Sequence, residues 1–289
     1  MPSPSRRAHR TLSPTRVSAV VAIALGAAAV GAGWSVGEAT SSVDRADWLG
    51  IVNAYRSMSG VPPIVAEPAW TAGAQAHSCY MIANDISHAE IPGQPGYSPE
   101  GHEAGVNGNV AVSGSVDADA RSHIDLWMTG PFHAIGVLRP TLTRSAYGEC
   151  EDANAPRWRS AATLDVLRGI DPNVPRPAEP VLFPGDGATV PLYRFVVESP
   201  DPLAMCGWAG PAGLPLLALM PGPVGAADAT LHGPSGPVET CVLHAGNVTH
   251  PTARAILEGD QAVIVIPRVE LSDGAYAVSL TTDAGGVAW

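Results

Sequence analysis

Five of the nine histidines fall between His77 and His133: these two, His88, His102 and His123. Imidazole is the commonest metal ligand and a general base near neutral pH. Two or three of these rings converging with Glu100 or Glu103 could hold zinc or another divalent ion, with His88 and His133 as the leading pair of ligands. The plainer alternative is a set of surface or hydrogen-bonded histidines. His102-Glu103 opens like a zinc-protease HExxH, but Val106 stands where the second histidine belongs, so that route to a metalloprotease fails. Glu100 and Glu103 lie three apart in a Pro/Gly-rich stretch. Such a pair can act as acid and base on a sugar, although solvated loop acids are the default. A G-x-S-x-G string occurs only at Gly33-Trp34-Ser35-Val36-Gly37, inside the expected signal segment, and no phosphate-cradling P-loop occurs. The most specific run is Trp127-Met128-Thr129-Gly130-Pro131-Phe132-His133. Gly130 ends a helix there, Pro131 fixes the turn, and His133 is projected beside an aromatic wall.

The elements that must position these residues read as helices joined by loops. Trp48, Ile51, Val52 and Tyr55 share one face of a first helix, with Ser42 as its expected N-cap and Asp44 in its first turn. A second helix is expected from Pro68 to about Asn84. A long polar loop should follow from Ser87 to about Val106. A third helix fits Asp117 to Met128, capped by Ser115. Residues 151–180 read as a linker or wrap-around segment ending in a Pro-rich stretch. From Val181 the pattern changes to short β-prone runs between Pro/Gly turns: Tyr193–Glu198, Leu214–Leu219, Ala229–His232, Val238–Leu243, Ala262–Ile266 and Tyr276–Thr281. Six such runs predict a β-sandwich over residues 181–289.

The order and spacing of several short motifs carry a resemblance. They are Asn53-x-Tyr55-Arg56, Ala76-His77-x-x-Tyr80-Met81 and Ser87-His88, then Tyr97-x-Pro99-Glu100-Gly101. Trp127-Met128-x-x-Pro131-x-His133, Pro140 and Tyr147-Gly148 complete the set. Together they resemble a bacterial CAP domain, of the cysteine-rich secretory, antigen 5 and pathogenesis-related superfamily, over roughly residues 44–150. The resemblance implies an α-β-α sandwich, with a cleft lined by two histidines and two acidic residues. In members of the superfamily that cleft can bind a divalent metal, and some members bind sterols or fatty acids. His88 matches the first cleft histidine and His133 the second. The acidic positions depart from the pattern. Gly108 stands where the Gly-Glu-Asn stretch has Glu, and Thr129 or Gly130 stands where another carboxylate is expected. Glu100 and Glu103 are the candidates to supply the missing charge. The C-terminal half resembles Ig-like β domains appended to exported proteins. The expected fold class is therefore α+β: a CAP-type sandwich over 42–150, a linker over 151–180, and an Ig-like sandwich over 181–289.

Composition bounds the destination. The 289 residues carry a formal charge of −11, and all sixteen basic residues are Arg. A strongly acidic chain with scattered Arg releases few counterions, which argues against a nucleic-acid partner. Arg6, Arg7, Arg10 and Arg16 precede an uncharged apolar run, Val17 to Gly33. Residues 1–39 thus read as a secretory signal, cleaved after Ala39, or as a retained membrane anchor through 17–33. Either makes the protein secreted or associated with the cell envelope. Cys79, Cys150, Cys206 and Cys241 allow three disulfide connectivities. The local one, Cys79–Cys150 with Cys206–Cys241, places a bridge in each half, each contributing on the order of 4 kcal/mol. The expected function is non-catalytic binding of a small lipid, a cell-envelope component or a protein. A metal-dependent, peptidase-like hydrolase and an envelope scaffold with a vestigial cleft are the alternatives.

Overall fold

The computed structural model describes residues 47–289 and the strand Ala22–Leu25 (β1). The rest of the expected signal or anchor, with Ser42 and Asp44, lies outside the described residues. Among the described residues, no helix is long and apolar enough to cross a membrane.

The first half runs α1 (Trp48–Met58), β2 (Val65–Ala66), α2 (Pro68–Ala83), α3 (Pro99–Val106), β3 (Gly108–Ser113), α4 (Ala120–Thr129), α5 (Pro131–Leu138), β4 (Arg144–Ser145), β5 (Tyr147–Glu151) and β6 (Ser160–Asp165). Its main sheet has the order β1-β3-β6-β5. β1 is parallel to β3, while β3 and β5 pair antiparallel with β6. Every residue of β3 and β6 is buried, because helices cover both faces. Val110, Val112 and Ala161 pack with Met81 of α2. On the other face Ala111, Ala162 and Leu164 join the core of α1, α4 and α5. This is the expected α-β-α arrangement. Cys79–Cys150 ties α2 to β5, as the local pairing required.

Several boundaries differ from the sequence reading. Asp47 caps α1, accepting from Gly50 N at 2.8 Å. Asp119, rather than Ser115, caps α4, which begins at Ala120. The loop expected to run on to Val106 instead folds into α3 from Pro99, with Ser98 as its cap. The segment 151–180, expected as a linker, contributes β6, an inner strand of the main sheet. Its sequence, SAATLD, lacks the bulky β-branched signature of a strand because the small side chains fit between two helical layers.

Arg56 sets the position of α5. Its guanidinium is fully buried on α1 and donates to the carbonyls of Pro62, Val137, Arg139 and Leu142, at 2.8, 2.7, 3.1 and 3.0 Å. Desolvation pulls its pKa down to about 10. Two of the four acceptors, Val137 and Arg139, lie at the end of α5, so that end is pinned from inside.

The second half runs β7 (Val181–Phe183), α6 (Pro202–Met205), β8 (Leu216–Leu219), β9 (Ala227–Gly233), β10 (Gly236–Val238), β11 (Thr240–Leu243), α7 (Pro251–Asp260), β12 (Ala262–Pro267), β13 (Ala277–Thr282) and β14 (Gly285–Ala288). Two antiparallel four-stranded sheets result, β11-β12-β8-β7 and β10-β9-β13-β14. Tyr193–Glu198, expected as a strand, is an irregular strap with one bridge, Arg194 to Gly213. Cys206–Cys241 joins the end of α6 to β11.

Strand alternation gives the first of these sheets two different jobs. Leu216, Ala218, Val263 and Val265 face Leu231, Val278 and Leu280 of the second sheet. Phe183, Leu217, Leu219, Ile264 and Ile266 face the other way and join the core that contains α1, α4 and α5. Arg139, just beyond α5, holds Asp260 at the end of α7 with two parallel bonds of 2.6 and 2.7 Å. The two halves therefore share one continuous apolar core.

Candidate functional site

His88 and His133 reach the structure through different elements. His88 follows α2, is 3 % exposed, and its Nδ1 bonds to the Gly105 carbonyl at 2.9 Å. A Cβ on Gly105 would collide with the His77 ring and the His88 carbonyl, so α3 packs this closely only with glycine there. Around this corner runs a buried network. His77 Nε2 donates to the Ser87 carbonyl at 2.8 Å, and its Nδ1 faces Glu90 Oε1 at 3.1 Å. The other Glu90 oxygen accepts from Ser98 N, and Glu90 N donates to His102 Nδ1. Burial holds the His77 imidazole below its ordinary range, against the opposing pull of the Glu90 carboxylate. The network fixes residues 87–102 against α2. His77, Glu90 and His102 hold a loop in place, a role that their spacing in the sequence does not reveal.

His133 lies in the first turn of α5. Its Nδ1 lies 2.5 Å from Glu198 Oε1, and neither side chain is exposed to solvent. Glu198 also accepts from Phe132 N at 3.1 Å and His133 N at 2.8 Å. The His133 carbonyl accepts from Asn109 Nδ2 on β3 at 3.1 Å. Trp127 stands behind, fully buried, with its Nε1 donating to the Val110 carbonyl at 3.3 Å. The sequence reading put His133 on a turn after Gly130; the chain instead begins a new helix, α5, at Pro131, and His133 lies within it. The sequence could not show Glu198, which is 65 residues further on and inside the second half.

Glu100 and Glu103 lie on the exposed side of α3. Glu103 is 60 % exposed and pairs with Arg168 at 3.4 Å. Glu100, in the first turn, complements the positive end of the helix dipole. Among the described residues, no three His, Cys, Asp or Glu side chains converge as donors for one ion. A resident zinc takes four ligands, and His88 and His133 alone would supply two. The described residues therefore do not assemble a zinc site.

A separate groove of about 690 Å³ lies in the second half, between the strap 184–193 and the loop 271–276. Leu214, Leu216 and Val278 form its floor, and Tyr193, Tyr276 and Trp289 contribute aromatic surface. The sequence reading placed Tyr276 only at the start of a β-prone run.

Residues 49–158 match the model of the cysteine-rich secretory protein family, CAP. The match contains His88, Glu100, Glu103 and His133 and stops just before β6. The chain thus carries a CAP-family domain, and its inner strand β6 and Glu198 lie beyond the matched region. No curated protein matches the chain at a significant level.

Proposed function

We propose that this is an exported CAP-domain protein that performs no catalysis and binds a small lipid, a cell-envelope component or another protein through the region of His88 and His133. One observation supports the non-catalytic part of the reading: His133 is engaged by Glu198 at 2.5 Å in a fully buried pair. A general base or metal ligand must meet its substrate or ion from an accessible site. Here the ring is closed over by the protein's own second half. The carboxylates that a hydrolase would need, Glu100 and Glu103, face outward on α3. Two disulfides agree with folding in an oxidising compartment, which supports export. The C-terminal sheets, read as an Ig-like module, present the domain rather than react.

Native mass spectrometry of the chain, purified from an exporting host without added metal, tests the reading. A lipid-sized adduct is expected. A stoichiometric metal adduct, removed by chelator and absent in His88→Ala, would overturn the reading in favour of a metal-dependent hydrolase. A protein that stays bare after incubation with zinc and lipids would overturn it in favour of an envelope scaffold.

A further inference from the structure

The groove between the strap 184–193 and the loop 271–276 owes nothing to His88 or His133. β7 ends at Phe183, opposite Leu217, and the chain then leaves the sheet edge as the strap. Leu216 from one sheet and Val278 from the other belong to the core between the sheets, and both also line the groove. The groove therefore opens onto the edge of that core. Its volume of about 690 Å³ is the size that takes one small organic molecule. Its walls are fixed in advance. The Tyr193 carbonyl accepts from Leu214 N at 3.1 Å and from Leu271 N at 3.0 Å, which ties strap and loop together. Tyr276 Oη accepts from Ser272 N at 3.0 Å and donates to the Ser272 carbonyl at 3.1 Å. The Tyr276 ring lies against Gly233, where a Cβ would come within 2.5 Å of it. Trp289 and Val278 exchange both backbone bonds, at 2.8 and 3.1 Å. A ligand thus meets aromatic surfaces already held in place, and little ordering opposes its binding.

Charge selects among ligands. Asp186 on the strap and Asp273 on the loop place one carboxylate on each wall. Both are exposed, and among the described residues neither side chain makes an ion pair or a hydrogen bond. Among the described residues, no Arg or His lines the groove. Glu270, next to the loop, is already matched by Arg194 at 3.2 Å, and Arg194 stacks over the Tyr193 ring at 5.4 Å. One aromatic ring at the rim therefore already faces a cation, while the two aspartates have none. An anionic ligand would be repelled here, and a neutral one would leave both carboxylates unused. The ring faces of Tyr276 and Trp289 attract a cation for their own reason, the negative face of an aromatic quadrupole.

We propose that this groove binds a small amphiphilic organic cation. Its ammonium group faces Asp186 and Asp273 and rests against Tyr276 and Trp289, and its apolar chain lies over Leu216 and Val278. The site is separate from the region of His88 and His133, so it stands or falls independently of the binding reading above.

Ligand-observed NMR titration of the full chain tests the proposal with three probes of one chain length: hexyltrimethylammonium, hexanol and hexanoate. Hexyltrimethylammonium should saturate a single site about tenfold more tightly than hexanol, the combined effect of two exposed carboxylates and the aromatic faces. Hexanoate should bind more weakly than hexanol. Asp186→Asn with Asp273→Asn should bring the ammonium affinity down to that of hexanol and leave hexanol itself unchanged. Both positions are exposed, so this variant should melt with the wild type. Asp228→Asn with Glu258→Gln removes the same charge from exposed positions outside the groove and should leave the ammonium affinity as it was. The proposal is overturned if the ammonium does not saturate, or if hexanol or hexanoate binds as tightly as it does. It is equally overturned if the Asp186 and Asp273 variant keeps the wild-type affinity, or if the Asp228 and Glu258 variant loses as much, which would make net charge the cause. The adduct measurement on the unaltered chain would still judge the binding reading separately.

Discussion

His123 shows what burial does to a single titratable group. It lies on α4 with no solvent exposure, its ring tilted against Trp127 with centroids 6.4 Å apart. Desolvation lowers its pKa from 6.5 to about 4, and the Asp119 carboxylate only partly opposes this. The folded state therefore binds fewer protons than the unfolded chain between those two values. Stability is complete above about pH 6.5 and falls as the pH drops towards 4. Between pH 7 and 4.5 this one group should remove about 2 kcal/mol. Urea unfolding at the two pH values, on wild type and His123→Gln, isolates the contribution. A variant that loses as much stability as wild type over this interval would show that His123 does not carry the effect. Histidine clustering in the sequence suggested a shared site, yet the rings serve several separate purposes. His77 braces a loop, His123 fills a core and His133 meets Glu198. Residue type and spacing marked all three, but only the tertiary fold supplies the partners that distinguish them.

Elements were legible where one face differs from the other. The Trp48, Ile51, Val52 and Tyr55 spacing marked α1, and Pro68 marked the start of α2, because each has a face towards solvent. α5 is buried at every position, so it carries no periodicity to detect. β6 is hidden for the same reason in a strand made of small residues. α3 is short and rich in Gly and Glu, and its fold depends on packing against α2. Tyr193–Glu198 has strand-like composition but runs past its one bridge to place Glu198, so a tertiary contact overrides local propensity. The β8 strand shows the energetic consequence of burial on two faces. Leu217 is fully buried and points towards the CAP-domain core with Phe183 and Ile264, the face that an isolated sandwich would leave wet. Leu217→Ala should cost about 3 kcal/mol in equilibrium urea unfolding, the range for a leucine truncated in a closed core. A loss below about 0.5 kcal/mol, as for a surface site, would show that this face of the sheet does not pack on the first half.

At the scale of the whole molecule, the change of pattern near Val181 separates two kinds of secondary structure without separating two cores. Leu217, Leu219, Ile264 and Ile266 belong to the same cluster as Ile124, Ile135 and Leu138. Parting the halves would return these four side chains to water, at about 1.5–3 kcal/mol each. Their sum is comparable to the entire stability of an ordinary domain. Separation would also leave Arg139 and Asp260 without each other, two groups whose side chains are only 14 % and 7 % exposed, and an uncompensated buried charge is strongly destabilising. A thermal scan of the full chain should therefore show one cooperative transition with equal calorimetric and van't Hoff enthalpies. Residues 181–289 expressed alone should aggregate or stay partly unfolded, because one sheet would present an apolar face to solvent. Two resolved transitions, or a monomeric fragment with the full chain's near-ultraviolet signature, would refute the shared core. The clasp of Glu198 on His133 would then join bodies free to move independently. With a single transition, the two halves unfold together as one folded unit, and the Glu198–His133 contact breaks only when both do.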